Sequence, residues 1–465
     1  MTTLSRRFFL RGLVAGAATL SARRLLAEAL SKEPLLRFGV LSDTHLELKD
    51  DPDRLGRIFR WLHDRNADAV VISGDITERG LNTEVDFLMK IWNGAFPGNC
   101  AADGRKVEKV FVWGNHDYSD ASYMRKLPPE ELKKQIAVSI FGDKDAAWRR
   151  IGEGAFPGET FHKSIKGFSF VGTHWKHENE TVAWIKAHPE VDTSKLFFYV
   201  QHPHPPGTVF WPARPGKVFT GLREEMRAYH NCFSMSGHSH MSVSDDLALW
   251  QGDFTAMAGG STKSVGARQE RETTSFKSKP DYVPHTRAFD SGKPSQASIV
   301  SVYADRMIVE RWEFHYGESL GDAWELPLPL ETHPGRPYVA ANAAPAPEFP
   351  AGAKVSVVRA MGKDRKGRKE MQYKVKVPYA QKTGRCGRVI EYRFDAIDAT
   401  TGKVLVSRVA LQDRYGLSEA QASKCQGRCA FAVDEFPEGA KVAFRVTPLN
   451  AAGLGGRPIS GVFVN

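Results

Sequence analysis

Residues 110–117 read Val-Phe-Val-Trp-Gly-Asn-His-Asp, an apolar run that stops at a glycine and opens into three polar side chains able to bind metal or move protons. A short apolar run bounded this way is a buried strand, and Gly-Asn is a turn pair that tolerates left-handed backbone. The same arrangement recurs along the chain. Leu36 to Leu41 leads to Asp43-Thr44-His45, Ala69 to Ile72 leads to Gly74-Asp75, and Leu196 to Val200 leads to His202. The apolar run that contains Cys232 ends at Gly237-His238-Ser239-His240. In open α/β sheets, ligands collect just beyond the carboxyl ends of strands, so the five motifs predict one shared site.

Asp, Asn and His supply oxygen and imidazole donors, which suit Mn, Fe, Zn or Ni better than soft thiolate chemistry does. Attack on a phosphate ester at neutral pH needs a deprotonated water and a counter-charge for the phosphoryl oxygens. Two metals held roughly 3.5 to 4 Å apart provide both.

Over roughly residues 34 to 330 the ordered set resembles the calcineurin-like metallophosphoesterase superfamily. That resemblance implies a four-layer α/β/β/α catalytic domain with two divalent or trivalent metal ions. One ion would be held by Asp43, His45, Asp75 and His240, the second by Asp75, Asn115, His202 and His238, with Asp75 bridging. A metal-bridging hydroxide would attack a phosphate mono- or diester in line. His116 matches the residue that protonates the leaving oxygen or binds a phosphoryl oxygen, and a pKa of about 6.5 suits an imidazole to that work. Asp117 is either the carboxylate that orients this ring or an exposed turn residue. Residues 74–80, Gly-Asp-Ile-Thr-Glu-Arg-Gly, resemble the Gly-Asp-x-x-Asp-Arg-Gly of protein Ser/Thr phosphatases, with Glu78 in the Asp position. Arg79 is therefore a candidate phosphate clamp, since planar guanidinium pairs well with phosphate; the alternative is a solvated loop arginine. His204 is expected behind the ligands or facing substrate. His174 and Trp175 fall where a rim residue would sit, although core packing accounts for them as well.

The first residues bear on location. Ser5-Arg6-Arg7-Phe8-Phe9-Leu10-Arg11 matches a twin-arginine export signal, and the apolar stretch Leu13 to Leu20 is too short for a lasting membrane anchor. Residues 1–31 are thus expected to be a leader read by the twin-arginine translocation machinery, with Ala27-Glu28-Ala29 as a cleavage site, leaving the protein periplasmic or secreted. Those residues hold five Arg and one Glu, so +6 of the formal +10 remains without them. Such an excess favours anionic substrates. No compact Lys/Arg block with interleaved aromatics marks a nucleic-acid-binding surface.

Strands and helices alternate from Leu35 to about Phe141, with helices expected near Arg54 to Asp64, Thr83 to Trp92 and Pro129 to Phe141. Alternation of this kind predicts a largely parallel sheet with helices outside it. The catalytic domain is expected over 34–335, with a long polar insert from Gly260 to Gln296. A Pro/Ala-rich linker at 336–352 follows, with few contacts across it. Residues 353–465 then change to period two: Tyr392, Phe394 and Ala396 alternate with polar neighbours, as do Val442, Phe444 and Val446. This predicts an antiparallel β-sandwich. The stretch Val446 to Ser460 resembles the closing strands of a fibronectin type III domain. Cys386, Cys425 and Cys429 could form a disulfide in an oxidising compartment, or Cys425 and Cys429 part of a metal site. A second functional class stays open: an envelope- or glycan-binding protein that uses the sandwich, its metal site accessory or catalytically dead.

Overall fold

A computed structural model of the protein describes residues 33–118, 127–209, 225–265, 293–330, 338, 342–364 and 367–462. The expected leader, most of the Gly260–Gln296 insert and part of the 336–352 segment lie outside the described residues.

Strands β1 (Leu36–Leu41), β2 (Ala69–Ser73) and β3 (Glu108–Val112) are parallel neighbours. All of β2 is buried, which is why it reads as an unbroken apolar run. Helices Pro52–Asp64 and Asn82–Ala95 make the crossovers. The first opens with Pro in its first turn, and the Asp51 carboxylate accepts from Asp53 N. Phe59, Trp92 and Phe96 pack together beneath the helices, and Trp92 meets Phe111 of β3 edge-on. Leu62 presses so close to β1 that a Cβ on Gly39 would come within 2.3 Å of it.

A second sheet follows, built from β4 (Thr160–Ile165), β5 (Phe168–Thr173), β6 (Phe197–Val200), β7 (Cys232–Ser236), β8 (Leu249–Gln251) and β9 (Thr255–Ala258). Its order is β4-β5-β6-β7-β9-β8, parallel from β5 through β9. The chain then returns to the first sheet as β10 (Gln296–Val302), antiparallel to β1, and continues through β11 (Arg306–Glu313), β12 (Glu318–Ser319) and β13 (Trp324–Pro327). Phe38 of β1 joins the sheets face to face, its ring centroid 5.2 Å from Phe170 and 4.8 Å from Phe198. On the far side of the second sheet, Thr181 of helix Thr181–Ala187 hydrogen-bonds the Tyr199 hydroxyl at 3.0 Å. The architecture is four-layered, α/β/β/α.

Beyond residue 355 the chain forms β14 (Ser356–Lys363), β15 (Lys369–Val377), β16 (Glu391–Asp398), β17 (Val404–Leu411), β18 (Gly427–Ala432), β19 (Val442–Leu449) and β20 (Ile459–Val462). These make two antiparallel sheets, β14-β15-β18 and β17-β16-β19-β20. Tyr392, Phe394, Ala396, Val442, Phe444 and Val446 all turn into the core between them. Asp395, on the opposite phase, is covered by Ser407 and Arg445, which donate to its carboxylate.

The linker differs from expectation. Tyr338 N donates to Gln251 Oε1 at 3.0 Å and its hydroxyl accepts from Glu325 N at 2.9 Å, while Ala343 belongs to the catalytic core. Ala and Pro lose no side-chain rotamer freedom on burial, so a segment rich in them packs against a surface as readily as it spans a gap. All five cysteines are free thiols: Cys386 sits in the catalytic core and Cys429 in the sandwich core. No helix among the described residues is long and apolar enough to cross a membrane.

Candidate metal centre

Asp43, Asp75, Asn115, His202 and His238 lie two or three residues past the carboxyl ends of β1, β2, β3, β6 and β7 respectively. Tight backbone turns aim them at one point. Asp43, His45, Asp75, His238 and His240 all have left-handed φ, between +40° and +68°. For a non-glycine residue this costs about 1 kcal/mol or more, so the surrounding structure must hold each turn. Motif glycines let the backbones close in: a Cβ on Gly114 would stand 2.3 Å from Asp75 Oδ1, and one on Gly237 would stand 2.4 Å from Asp43 Oδ2.

Two donor sets result. In the first, His240 Nε2 lies 3.2 Å from Asp43 Oδ1 and 3.1 Å from His45 Nε2, and His45 Nε2 lies 3.6 Å from Asp75 Oδ2. In the second, His202 Nε2 lies 3.1 Å from Asp75 Oδ2, 3.2 Å from Asn115 Oδ1 and 3.2 Å from His238 Nδ1, which is 3.0 Å from Asn115 Oδ1. Donors bonded at about 2.0 to 2.2 Å to a common ion stand roughly 3.0 to 3.6 Å apart, and these separations match. The remote ring nitrogens agree. His202 Nδ1 donates to Ser73 O at 2.9 Å, His240 Nδ1 to Ser264 O at 2.8 Å, and His45 Nδ1 to the Glu78 carboxylate at 2.8 Å. Each bond turns an Nε2 lone pair toward the centre, the usual way a ligating histidine is oriented. Nitrogen and oxygen donors without thiolate fit divalent first-row ions.

Charge distribution favours cations as well. Burial opposes ionisation of Asp43 and Asp75, but the imidazoles beside them hold both carboxyls well below the usual range. Burial likewise works against protonation of His45 and His202, yet the carboxylates win and push them up to about 10 and about 9. His238 goes the other way, to about 4, through burial and repulsion by His202. In the metal-free protein, protons on His45 and His202 supply the positive charge that the buried carboxylates demand.

His116 stands beside the first set. Its backbone N donates to Asp75 Oδ1 at 2.8 Å, its ring meets His45 edge-on at 4.4 Å, and its Nδ1 donates to Glu78 O at 2.9 Å. Glu78 thus orients both rings, one with its carboxylate and one with its carbonyl. Asp117 requires correction as a candidate catalytic residue. It is fully buried, and its carboxylate accepts from Gly114 N, Ile76 N, Thr77 N and Thr77 Oγ1, pinning the β2 and β3 turns together. Those four donors consume the capacity that would have oriented His116. Arg79 is half exposed at the rim, 3.7 Å from Glu47, so it is not placed among the ligands. His204 lies buried behind them, bonded to Ser239 Oγ at 2.8 Å, and burial holds it neutral, down to about 3. His174 is core, sandwiched near Trp113 and Phe156 and accepting from Trp113 N. Trp175 does reach the site, 5.5 Å from the His238 ring and 5.8 Å from that of His202.

A family model described as calcineurin-like phosphoesterase matches residues 36–242. The chain contains a calcineurin-like phosphoesterase domain. No curated protein matches it. Among solved structures it is similar to GAP50, "the anchor in the inner membrane complex of Plasmodium", at 13% identity and TM-score 0.39, covering 63% of this chain and 88% of that one. It is also similar to a conserved uncharacterized protein described as a predicted phosphoesterase from Streptococcus pneumoniae (13%, TM-score 0.25, 63% and 97% covered). A third likeness is to Vacuolar Protein Sorting 29 from Cryptosporidium parvum (11%, TM-score 0.30, 63% and 97%). Likenesses this distant say nothing about substrate.

Within the phosphoesterase domain, the motifs did not reveal Ser261 and Ser264, which hold His240 Nδ1, or Lys263, whose ammonium ties His45 O to Glu47 and Asp50. A signal was present: Ser261-Thr-Lys-Ser264 follows the apolar end of β9 after two glycines, the same strand-end arrangement as the ligands.

Proposed function

We propose that the protein is a dinuclear metal-dependent phosphoesterase that hydrolyses phosphate mono- or diesters. One observation carries this reading: two nitrogen/oxygen donor sets, joined by Asp75 and lacking no expected ligand, lie beside His116, which bonds Asp75 through its backbone and meets the His45 ring at 4.4 Å. Two metal ions held there would lower the pKa of water and offset the charge of the phosphoryl oxygens. The chain's own groups would do the rest. Asp75 draws the two sets together and fixes the His116 backbone through its second oxygen. Glu78 O holds Nδ1 of His116, leaving Nε2 to deliver a proton to the departing oxygen when the ring is charged. Trp175 walls the His202 and His238 side against water. Arg79 would clamp phosphate by exchanging Glu47 for it.

Residues 1–31 would route the folded enzyme through twin-arginine export to the periplasm or beyond, and the C-terminal sandwich would be of the fibronectin type III kind. The full chain, stripped of metal and reloaded with Mn or Zn, should hydrolyse p-nitrophenyl phosphate or bis-p-nitrophenyl phosphate only when reloaded. Two bound equivalents of metal with no turnover across a panel of mono- and diesters would overturn the enzyme reading in favour of a binding protein.

A further inference from the structure

We infer that the C-terminal sandwich is a working part of the metal centre, with Gln296 and Arg388 as positioning residues for the loop that carries His238 and His240. The inference rests on the metal-site reading above.

After His240 the chain runs through a fully buried stretch, Ser242 to Asp245, between the phosphoesterase domain and the sandwich. Its polar atoms are answered from both sides, Val243 O by Arg311 Nη1 of the phosphoesterase domain at 2.8 Å and the two serine hydroxyls by the sandwich. Ser244 Oγ donates to Tyr415 O at 2.7 Å, and Ser242 Oγ to Gly416 O at 3.2 Å. Gln296, at the start of β10, is fully buried and spans the boundary. Its Nε2 donates to Gly416 O at 2.7 Å while its Oε1 accepts from Val243 N at 3.1 Å. Arg388, buried in the sandwich, donates from Nη2 to Tyr415 O and Leu417 O at 3.1 and 2.6 Å, and from Nη1 to Ser244 O at 3.5 Å. Ile390, Leu411, Tyr415 and Ala451 seal the boundary, with Leu247 packed against them.

The path to the ligands is short. Gln296 N donates to Ser261 O at 2.9 Å, and Ser261 Oγ lies 3.2 Å from Asp43 O and 3.3 Å from His240 Nδ1. Two residues therefore separate a carbonyl of the sandwich from a ligand imidazole. Positioning matters here because His238 and His240 hold φ of +68° and +53°, which an unrestrained loop would leave. One belongs to each donor set, so slackening this loop weakens both. The buried polar groups also make the boundary specific, since an unpaired group there is costly. A separable module joined only by its linker would show none of this.

The test uses the full chain in three variants. Gln296→Leu and Arg388→Met cut the dock, while Phe444→Leu loosens the sandwich core away from it. Hydrogen exchange is followed over residues 237–246 in the metal-free protein, and Zn affinity is measured by competition with a chromophoric chelator. Both dock variants should exchange faster over that stretch and bind Zn about tenfold or more weakly, the usual loss when a group supporting a ligand is removed. Phe444→Leu should lower the melting temperature without either effect. Wild-type exchange and affinity in the dock variants, or equal loss in the control, would overturn the inference. If a dock variant fails to fold, Ser244→Ala removes the hydroxyl that bonds Tyr415 O and Ser242 Oγ and is read the same way. Should wild-type protein bind no Zn, the metal-site reading falls, while exchange still decides whether the dock restrains the loop.

Discussion

Replacing Asp75 with asparagine tests the centre at the point where its two halves meet. Asp75 Oδ2 lies 3.6 Å from His45 Nε2 and 3.1 Å from His202 Nε2, so one carboxylate oxygen faces an imidazole nitrogen of each donor set. Asparagine has nearly the same size, and its carbonyl can still accept from His116 N, which Asp75 Oδ1 does at 2.8 Å. The fold should therefore survive with its melting temperature little changed. The charge does not survive. The first set keeps the Asp43 carboxylate, but the second becomes wholly neutral, left with the substituted amide beside Asn115, His202 and His238. Loss should be unequal: the second ion goes and the first is held more weakly. Removing a group that merely supports a ligand costs about 10- to 100-fold in affinity, so losing the only carboxylate of a donor set should exceed 100-fold there, with turnover falling at least as far. Elemental analysis after dialysis at fixed free Mn or Zn, run alongside phosphoester turnover, reads both quantities. Two retained equivalents with near-normal turnover would refute the bridging assignment, and loss of the Asp43-side ion first would refute the charge argument.

His116→Ala should keep both metals yet slow alkyl esters by about 100-fold or more while sparing p-nitrophenyl esters; equal slowing of both would show that His116 acts by charge alone. Glu178 is fully buried, and burial, outweighing the backbone amides and the His202 ring that favour its charged form, pushes it up from 4.5 to about 8. The folded protein thus keeps a proton that the unfolded chain releases between those values, and stability should fall across that window by up to about 5 kcal/mol. Glu178→Gln should raise the melting temperature of the metal-free protein at pH 8.5 and leave it nearly unchanged at pH 4; equal shifts at both would refute the buried-acid account. Arg6→Lys with Arg7→Lys should leave active enzyme in the cytoplasm, and its continued appearance outside the inner membrane would rule out the twin-arginine route.

Much of the fold was legible because its parallel strands are buried on both faces. Runs such as Ala69 to Ile72 can hardly be anything else, and the helix expected over Arg54 to Asp64 forms as Pro52–Asp64. The helix expected over Pro129 to Phe141 stops at Ala137, because Gly142 folds back so tightly on Ile136 that a Cβ there would meet its carbonyl at 2.1 Å. The glycine itself was the local sign of a helix stop. The domain boundary was legible as a composition change, but its meaning was not: composition shows a stiff Ala/Pro segment and is blind to the Gly416 carbonyl waiting for Gln296.

Asp117 and Glu78 show where the sequence misleads at the site itself. Asp117 follows His116 and so looks like its partner, yet side chains of consecutive residues leave the backbone in different directions. In the tight turn after β3 that divergence carries Asp117 inward, onto the amides of Gly114, Ile76 and Thr77. Glu78 lies 38 residues away from His116 and reaches it only because the β2 turn lies beside the β3 turn in the sheet. Lengthening the carboxylate from the Asp of the phosphatase pattern to Glu also lets one side chain reach His45 Nδ1 at 2.8 Å while staying 3.6 Å from His116 Nδ1. The candidate ligands are legible as strand-end motifs because strand ends deliver such side chains directly; the groups that orient them come from neighbouring turns, whose adjacency exists only once the sheet has formed.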